Sequence, residues 1–182
     1  MIESMMNHWF AVQVRPQSER MVSLILRQKG YEEFIPSSPT TTVERRQLLR
    51  PLFPGYVFCK VTTSARGPIV TTPGVVRILG AGATPTPVPE YEIDSLRRLV
   101  SSGLPVEAWP RLEPGESVEL VGGPLHGCRG IVKTWKSERR LIVSITILQR
   151  AVSVEITPES VHRAPAGRET AVSPATVRSI AV

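Results

Sequence analysis

The chain has 182 residues, a length that accommodates one ordinary domain or two small ones. Its formal net charge is +6 and its pI is about 9.9, a basic balance that suits a polyanionic partner without requiring one. Its only cysteines, Cys59 and Cys128, are too few for a disulfide framework and too far apart for a zinc site. We therefore expect both to be small, semi-buried apolar residues in a reducing compartment.

The apolar segments are short. The first residues lack the positive charge and the apolar run of a signal peptide, and the longest apolar-rich run, residues 141–148, is too short to span a membrane. We expect a soluble cytoplasmic protein with no membrane partner.

The first hundred residues alternate predicted strands with predicted helices. In chain order they are a strand at 8–14, a helix from Pro16 to Gly30, a strand at 33–36, a strand at 56–61, a helix at 65–71, a strand at 75–79 and a helix from Pro89 to about residue 100. No glycine-rich phosphate loop joins a strand to a helix. The pattern predicts an α+β fold, a small antiparallel α/β sandwich over residues 8–100, after a flexible segment at 1–7.

Aromatic side chains share one face of the strand at 56–61. Alternation places Tyr56 and Phe58 opposite Val57, Cys59 and Val61. If the second set faces the helices, the aromatics cover a second small core, or they form an exposed cleft of the kind that often marks a partner site.

Residues 42–52 are polar and basic and are predicted to form an exposed arm or hairpin. Arg45, Arg46 and Arg50 lie in it. Such a run is either an ordinary solvated surface or a contact to phosphates, and without interleaved aromatics it is not expected to read bases. The same alternatives hold for a second basic cluster between residues 133 and 140.

The second half is predicted to be all β. Residues 101–111 contain two prolines and show neither helical nor strand periodicity in their apolar residues, so we predict a linker there. Strand-like runs follow at 117–121, 130–135, 141–148 and 151–156, with turn residues between them. This spacing predicts a small SH3-like β-barrel over residues 112–164, followed by a disordered tail at 165–182.

Three phrases in this order resemble one family. They are Leu-Phe-Pro-Gly-Tyr-Val-Phe at 52–58, Thr-Thr-Pro-Gly-Val at 71–75 and a glycine-rich turn, Gly-Gly-Pro-Leu-His-Gly-Cys-Arg-Gly-Ile-Val, at 122–132. The chain from about 8 to 163 is similar to the NusG family of transcription elongation factors, which have an amino-terminal (NGN) domain and a KOW domain.

The resemblance implies a function and partners. The amino-terminal domain would bind the clamp helices of the largest RNA polymerase subunit. It would also contact the sugar-phosphate backbone of upstream or non-template DNA. The KOW domain would recruit Rho or a ribosomal small-subunit protein, and the protein would act as a monomer without a cofactor or metal. The resemblance implies polymerase contacts at Trp9, Ala11, Gln13, Pro54, Tyr56 and Phe58, DNA contacts at Arg45, Arg46 and Arg50, and KOW-partner contacts at Leu125, Cys128, Ile147, Leu148 and Arg150.

Departures from the family pattern favour a specialised member. The barrel-tip turn is Leu148-Gln149-Arg150 where housekeeping NusG usually has Phe-Gly-Arg, and Leu125 and Cys128 replace two phenylalanines. Smaller apolar groups weaken such a contact by about 1–3 kcal/mol per site. We therefore expect processive antitermination, as in the UpxY-like and RfaH-like paralogues. The alternative is a housekeeping NusG that acts with Rho.

Other functional classes fit the residues less well. The phosphate-loop spacing at 122–127 lacks the lysine and the hydroxyl residue that would bind nucleotide and magnesium. His8, His126 and His162 have no partners at metal-ligand spacing, and no nucleophile and base can be assigned, so we expect no enzyme. A ribosome-associated KOW protein that binds RNA would explain the barrel and the charge but not the first half.

Overall fold

A computed structural model describes residues 7–41, 47–62, 66–81, 84–109, 117–135, 138–156 and 161–162. The flexible segment predicted at 1–7, apart from Asn7, and the tail predicted at 165–182 lie outside the described residues. The first half contains β1 (Asn7–Val14), α1 (Glu19–Gln28), β2 (Glu32–Phe34), β3 (Ser37–Thr41), β4 (Gln47–Pro51), β5 (Tyr56–Thr62), α2 (Gly67–Val70), β6 (Val75–Ile78), β7 (Gly80–Ala81), β8 (Thr84–Pro85) and α3 (Glu90–Ser101).

A four-stranded antiparallel sheet forms the centre of the first half. Its strand order is β2-β5-β1-β6, so the two strands that carry the predicted polymerase contacts lie side by side in the middle. The predicted α/β sandwich is confirmed. Helix α1 begins at Glu19, because a turn at Pro16 and Gln17, with Gln17 at φ 63°, separates it from β1.

The two faces of this sheet bury different cores. Phe10, Val12 and Val57 pack with Val22 and Leu26 of α1 on one face. The opposite face, with Trp9, Ala11 and Phe58, is covered by α3 through Ile93, Leu96 and Leu99. The alternation in the sequence predicted both faces correctly, and it left open what covers the second one.

A separate hairpin, β3–β4, forms where the sequence predicted an arm. Ser37 pairs with Pro51 and Thr41 pairs with Gln47. Strand β3 lies in a Ser-, Pro- and Thr-rich stretch before the predicted arm, and β4 gives it an antiparallel partner. Arg50 is exposed on β4, whereas Arg45 and Arg46 lie outside the described residues.

The second half contains one six-stranded sheet of order β14-β10-β11-β12-β13-β9. Its elements are β9 (Val106–Trp109), β10 (Ser117–Leu120), β11 (Arg129–Trp135), β12 (Glu138–Ile145), a 3₁₀ helix (Thr146–Leu148), β13 (Arg150–Ile156) and β14 (Val161–His162). All of its pairings are antiparallel. This is the all-β second half that the sequence predicted.

Two details of the second half correct the sequence-based prediction. The linker interpretation was wrong at 106–109, because these residues form β9 and pair with β13, with Val106 opposite Val154. The long strand predicted at 141–148 ends at Ile145, because the chain turns through the 3₁₀ helix and Gln149 at φ 52° before β13.

Candidate partner-binding site

The predicted polymerase-binding residues of β1 and β5 lie in register. Gln13 is opposite Tyr56, Ala11 is opposite Phe58, and Trp9 is opposite Lys60. Side chains of directly opposed residues point to the same face of an antiparallel sheet. The structure thus brings five of the six predicted residues together on one face, and Pro54 is exposed in the turn that precedes β5.

That turn is set by a glycine and by a carboxylate from α1. Gly55 has φ 85°, a conformation that favours glycine. Its N–H donates to Oε1 of Glu19 at 2.7 Å, and the Tyr56 N–H donates to the Phe53 carbonyl at 3.2 Å. Glu19, nearly buried at the start of α1, therefore helps to orient Tyr56. Glu19 carries no signal in the sequence for this role, because its partner is 36 residues away.

Trp9 is not part of an exposed cleft. Its side chain is 1% exposed, and the guanidinium of Arg97 on α3 lies 4.8 Å from the ring centroid, with Lys60 at 5.8 Å. Two ion pairs hold α3 against the sheet here: Arg97 with Glu32 at 2.6 Å, and Lys60 with Glu90 at 2.8 Å. A direct polymerase contact, which the resemblance implies for Trp9, would need an exposed side chain, and in this structure residues of the same half cover it.

Phe58 and Tyr56 have different surroundings. Phe58 is fully buried and meets Phe53 edge to face, with ring centroids 6.2 Å apart. Tyr56 is half-buried, and its ring faces the guanidinium of Arg150 from the second half at 5.4 Å. In this structure the aromatics belong to a second core, which was the alternative to an exposed cleft.

The second half packs against this same core. Leu125, Cys128 and Leu148 are buried in the cluster that also contains Trp9 and Phe58, and Ile147 packs against it. All five residues predicted to bind a KOW partner, including Arg150 over Tyr56, thus lie at or beside the contact with the first half. The two predicted partner surfaces cover each other.

Helix α3 supplies the polar part of this contact. Ser95 is 1% exposed, and its hydroxyl accepts the N–H of Arg129 at 3.0 Å. At Gly127 an added Cβ would lie 1.9 Å from Nη1 of Arg98, so the turn that carries the family-like glycine motif approaches α3 very closely. Ser95 and Arg98 were not identified from the sequence, although they flank the apolar stripe of a predicted helix.

Glu92 is the charged residue buried in this contact. Its side chain is 4% exposed, and its two carboxylate oxygens accept separate hydrogen bonds from Thr146, one from the hydroxyl at 2.6 Å and one from the N–H at 3.1 Å. Burial raises the pKa of the Glu92 carboxyl, and the Thr146 hydrogen bonds partly oppose the shift.

Both cysteines are apolar core residues, as expected. Cys59 packs between the sheet and α1, and burial with the charge of Glu33 raises its thiol pKa to about 12. Burial raises the pKa of Cys128 to about 11, and its Sγ lies 3.6 Å from the Ser95 carbonyl oxygen. At neutral pH both remain thiols, which are weak nucleophiles.

The described residues contain no cluster of three or more His, Cys, Asp or Glu side chains that could hold a metal ion. Within the same ranges, no helix has the length and the apolar character needed to cross a membrane.

The architecture is an α/β sandwich followed by a small antiparallel β domain, which is the two-part fold that the resemblance in the sequence implies. Residues 7–97 match the family model of the transcription termination factor NusG. The chain belongs to the NusG family and is a transcription factor that acts in elongation or termination.

Two curated relatives carry the name transcription termination/antitermination protein NusG. The protein of Pseudomonas aeruginosa is 31% identical over 170 residues, which cover 84% of this chain and 96% of the relative. The protein of Helicobacter pylori is 27% identical over 174 residues, which cover 87% and 99%. A solved structure concerned with domain interaction in Thermotoga maritima NusG has a TM-score of 0.52 at 24% identity, covers 88% of this chain and 98% of its own, and supports the fold.

Proposed function

We propose that the chain binds RNA polymerase through the face of β1 and β5 that carries Ala11, Gln13, Tyr56 and Phe58, with Pro54 in the adjoining turn. The observation that supports this is the register of the two strands, which makes the predicted contacts direct neighbours. The clamp helices of the largest polymerase subunit are the proposed partner. Trp9 contributes by supporting this face from beneath α3.

Binding at this face requires the second half to move away. Phe58 is buried in the core shared with Leu125 and Cys128, and Arg150 lies over Tyr56. A helix of the polymerase would contact the part of this face that α3 leaves free, and it cannot do so while the second half occupies that part. The arrangement described here is therefore a closed form, and polymerase binding selects an open one.

The second half has its own proposed partner, which is a ribosomal small-subunit protein. Leu125, Cys128, Ile147, Leu148 and Arg150 are the proposed contacts, and opening exposes them together with the polymerase-binding face. Leucine and cysteine offer less area than the phenylalanines usual at the corresponding family positions, which disfavours Rho as the partner. The outcome we propose is processive antitermination.

The alternative is Rho-dependent termination, and the names of the curated relatives include termination as well as antitermination. Transcription in vitro across a Rho-dependent terminator, with and without the protein, separates the two outcomes. More full-length transcript on adding the protein supports antitermination, and more terminated transcript supports the alternative.

A ribosome-associated RNA-binding protein is the competing class. The family match over residues 7–97 speaks against it, because a KOW domain alone would suffice for such a role. Copurification with polymerase supports the proposal, whereas copurification with ribosomal subunits in the absence of polymerase would contradict it.

We also propose that the β3–β4 hairpin contacts DNA phosphates. Arg50 is exposed on β4, and the guanidinium of Arg20 on α1 donates to the Leu49 carbonyl at 2.7 Å, so a second cation lies beside the hairpin. Arg45 and Arg46 complete the proposed set. Contacts of this type are sensitive to salt and show little sequence preference.

A further inference from the structure

Among the described residues, the contact between the two halves contains a carboxylate that is buried with no cation paired to it. Both hydrogen bonds to Glu92 come from Thr146, an uncharged residue at the start of the 3₁₀ helix. In the part of the chain that the structure describes, no ion pair involves Glu92. A buried carboxylate is costly unless a positive charge compensates it, and hydrogen bonds alone compensate it only in part.

We propose that Glu92 and Thr146 form a proton-sensitive latch, which makes the closed form tighter when the Glu92 carboxyl is neutral. The inference concerns the regulation of the proposed polymerase-binding face, and to that extent it rests on the proposed function. A latch of this kind keeps the closed form weak enough to open, because closing at neutral pH must desolvate a charge.

Other charged or titratable side chains lie around the contact. They are Tyr91, Asp94 and Arg98 on α3, Tyr56 on β5, Arg129 on β11 and Arg150 on β13. Arg129 pairs with Glu119 at 2.9 Å, and the Arg150 guanidinium faces the Tyr56 ring. Glu92 differs from these groups in that its carboxylate is almost completely buried and is bonded by an uncharged residue.

The direction of the pH effect follows from the burial. Closing raises the pKa of the Glu92 carboxyl, so the closed form binds this proton more tightly than the open form. The closed form is favoured as the pH falls through the raised pKa toward the ordinary value of 4.5, and it is weakened as the pH rises.

Glu92→Gln is the diagnostic variant. An amide has the shape of the carboxyl and carries no charge. Its oxygen can accept the Thr146 N–H, and its NH₂ can donate to the Thr146 hydroxyl. The variant therefore keeps both hydrogen bonds and imitates the protonated state at every pH.

The test is amide hydrogen exchange of the full chain between pH 5.0 and pH 7.5, corrected for the intrinsic exchange rate. The Arg129 N–H is the reporter, because it donates to Ser95 across the contact and does not touch Glu92. In the wild type we expect its protection to rise as the pH falls. In the Glu92→Gln variant we expect the protection of this N–H at pH 7.5 to exceed that of the wild type. The protection factor should be about tenfold larger for each pH unit by which closing raises the pKa of the Glu92 carboxyl. It should also depend little on pH.

Ser95→Ala is the matched control, since it removes an uncharged acceptor from the same helix. In this variant the protection of the Thr146 N–H should be lower than in the wild type at every pH, with the same dependence on pH. Equal protection in the wild type and Glu92→Gln at both pH values would overturn the latch. A wild-type slope in Glu92→Gln would also overturn it, because another titratable group would then cause the effect. Lower protection in Glu92→Gln at pH 7.5 would overturn it too, because the charge itself would then hold the halves together.

The wild-type series tests the proposal even if a variant fails to fold, because protection of Arg129 that does not change with pH contradicts it. The exchange experiment contains no polymerase. Its failure would therefore leave polymerase binding intact as a proposal, and a chain that does not bind polymerase could still show the latch.

Discussion

Tyr56 and Phe58 lie two residues apart on the same face of β5, but their surroundings differ. Phe58 is enclosed by its own half and by the second half, whereas Tyr56 is half-buried at the edge of the contact, beneath Arg150. A change at Phe58 therefore tests folding and binding at once. A change at Tyr56 tests mainly binding.

We expect Tyr56→Ala to leave the first half folded and to weaken polymerase binding. Truncating an aromatic contact at the centre of an interface costs about 2 kcal/mol or more, which is about thirtyfold in affinity. Binding of the variant to purified polymerase, measured beside its thermal unfolding, checks both parts. Unchanged affinity would remove Tyr56 from the proposed site.

Phe58→Ala is the comparison for that experiment. Its ring is fully buried against Phe53, and truncation of a buried phenylalanine costs about 3–5 kcal/mol of folding free energy. We expect a clear drop in the unfolding midpoint, so reduced polymerase binding of this variant would not by itself locate the site. A stable Phe58→Ala variant would show that the core tolerates the cavity.

At the scale of elements, strand β9 extends the second half beyond the boundary predicted from sequence. A fragment of residues 104–164 retains the pairing of β9 with β13, and a fragment of residues 112–164 loses it. The shorter fragment leaves β13, which is apolar along most of its length, at the edge of the sheet. We expect the longer fragment to unfold at a higher urea concentration. Equal midpoints would mean that β9 contributes little to the stability of the sheet.

The β3–β4 hairpin is the element for which we expect a salt effect. Replacing Arg45, Arg46 and Arg50 by Glu removes three proposed phosphate contacts. Three such contacts give a slope of roughly −2 to −3 when the logarithm of the affinity for DNA is plotted against the logarithm of the salt concentration. Binding of the variant to a transcribing complex should depend less on salt than binding of the wild type. Binding to isolated clamp helices should be unchanged. A triple variant that matches the wild type at every salt concentration would make the hairpin an ordinary solvated surface.

At the scale of the whole molecule, the closed form places both proposed partner surfaces in one contact. Residues of α3 lie between the sheet of the first half and the turns of the second, and Ser95 is almost completely buried there. A large side chain at this position cannot fit while the halves are packed together. Replacing Ser95 by a large residue therefore provides a way to open the full chain without altering β1 or β5.

We expect Ser95→Arg to open the molecule and to strengthen polymerase binding. Loss of the packed contact should increase the radius of gyration in small-angle scattering, and the affinity should rise because the competing closed form is depopulated. Ser95→Ala, which removes one hydrogen bond without a clash, should have a smaller effect in the same direction. An opened chain that binds polymerase no better than the wild type would contradict the proposal that closing masks the site.

The sequence by itself was sufficient to predict the local structure of most elements and the family. Alternation in β1 and β5 assigned Phe10, Val12 and Val57 to one face and Trp9, Ala11 and Phe58 to the other, because the side-chain period of a strand depends only on position along the chain. The same reasoning does not reach β9. Its partner, β13, lies more than forty residues further along the chain, and the β-sheet pairing itself gives the strand its conformation.

The exposure of the predicted site was decided by the tertiary structure alone. Periodicity states which residues share a face and leaves open what packs on it. Arg97 and Lys60 flank Trp9, Arg150 lies over Tyr56, and Glu92 binds Thr146, and each of these contacts joins residues that are far apart in sequence. Their energies depend on desolvation and geometry at a contact that exists only once both halves have folded. The sequence therefore predicted two partner surfaces, and the packing of the two halves decided that each covers the other.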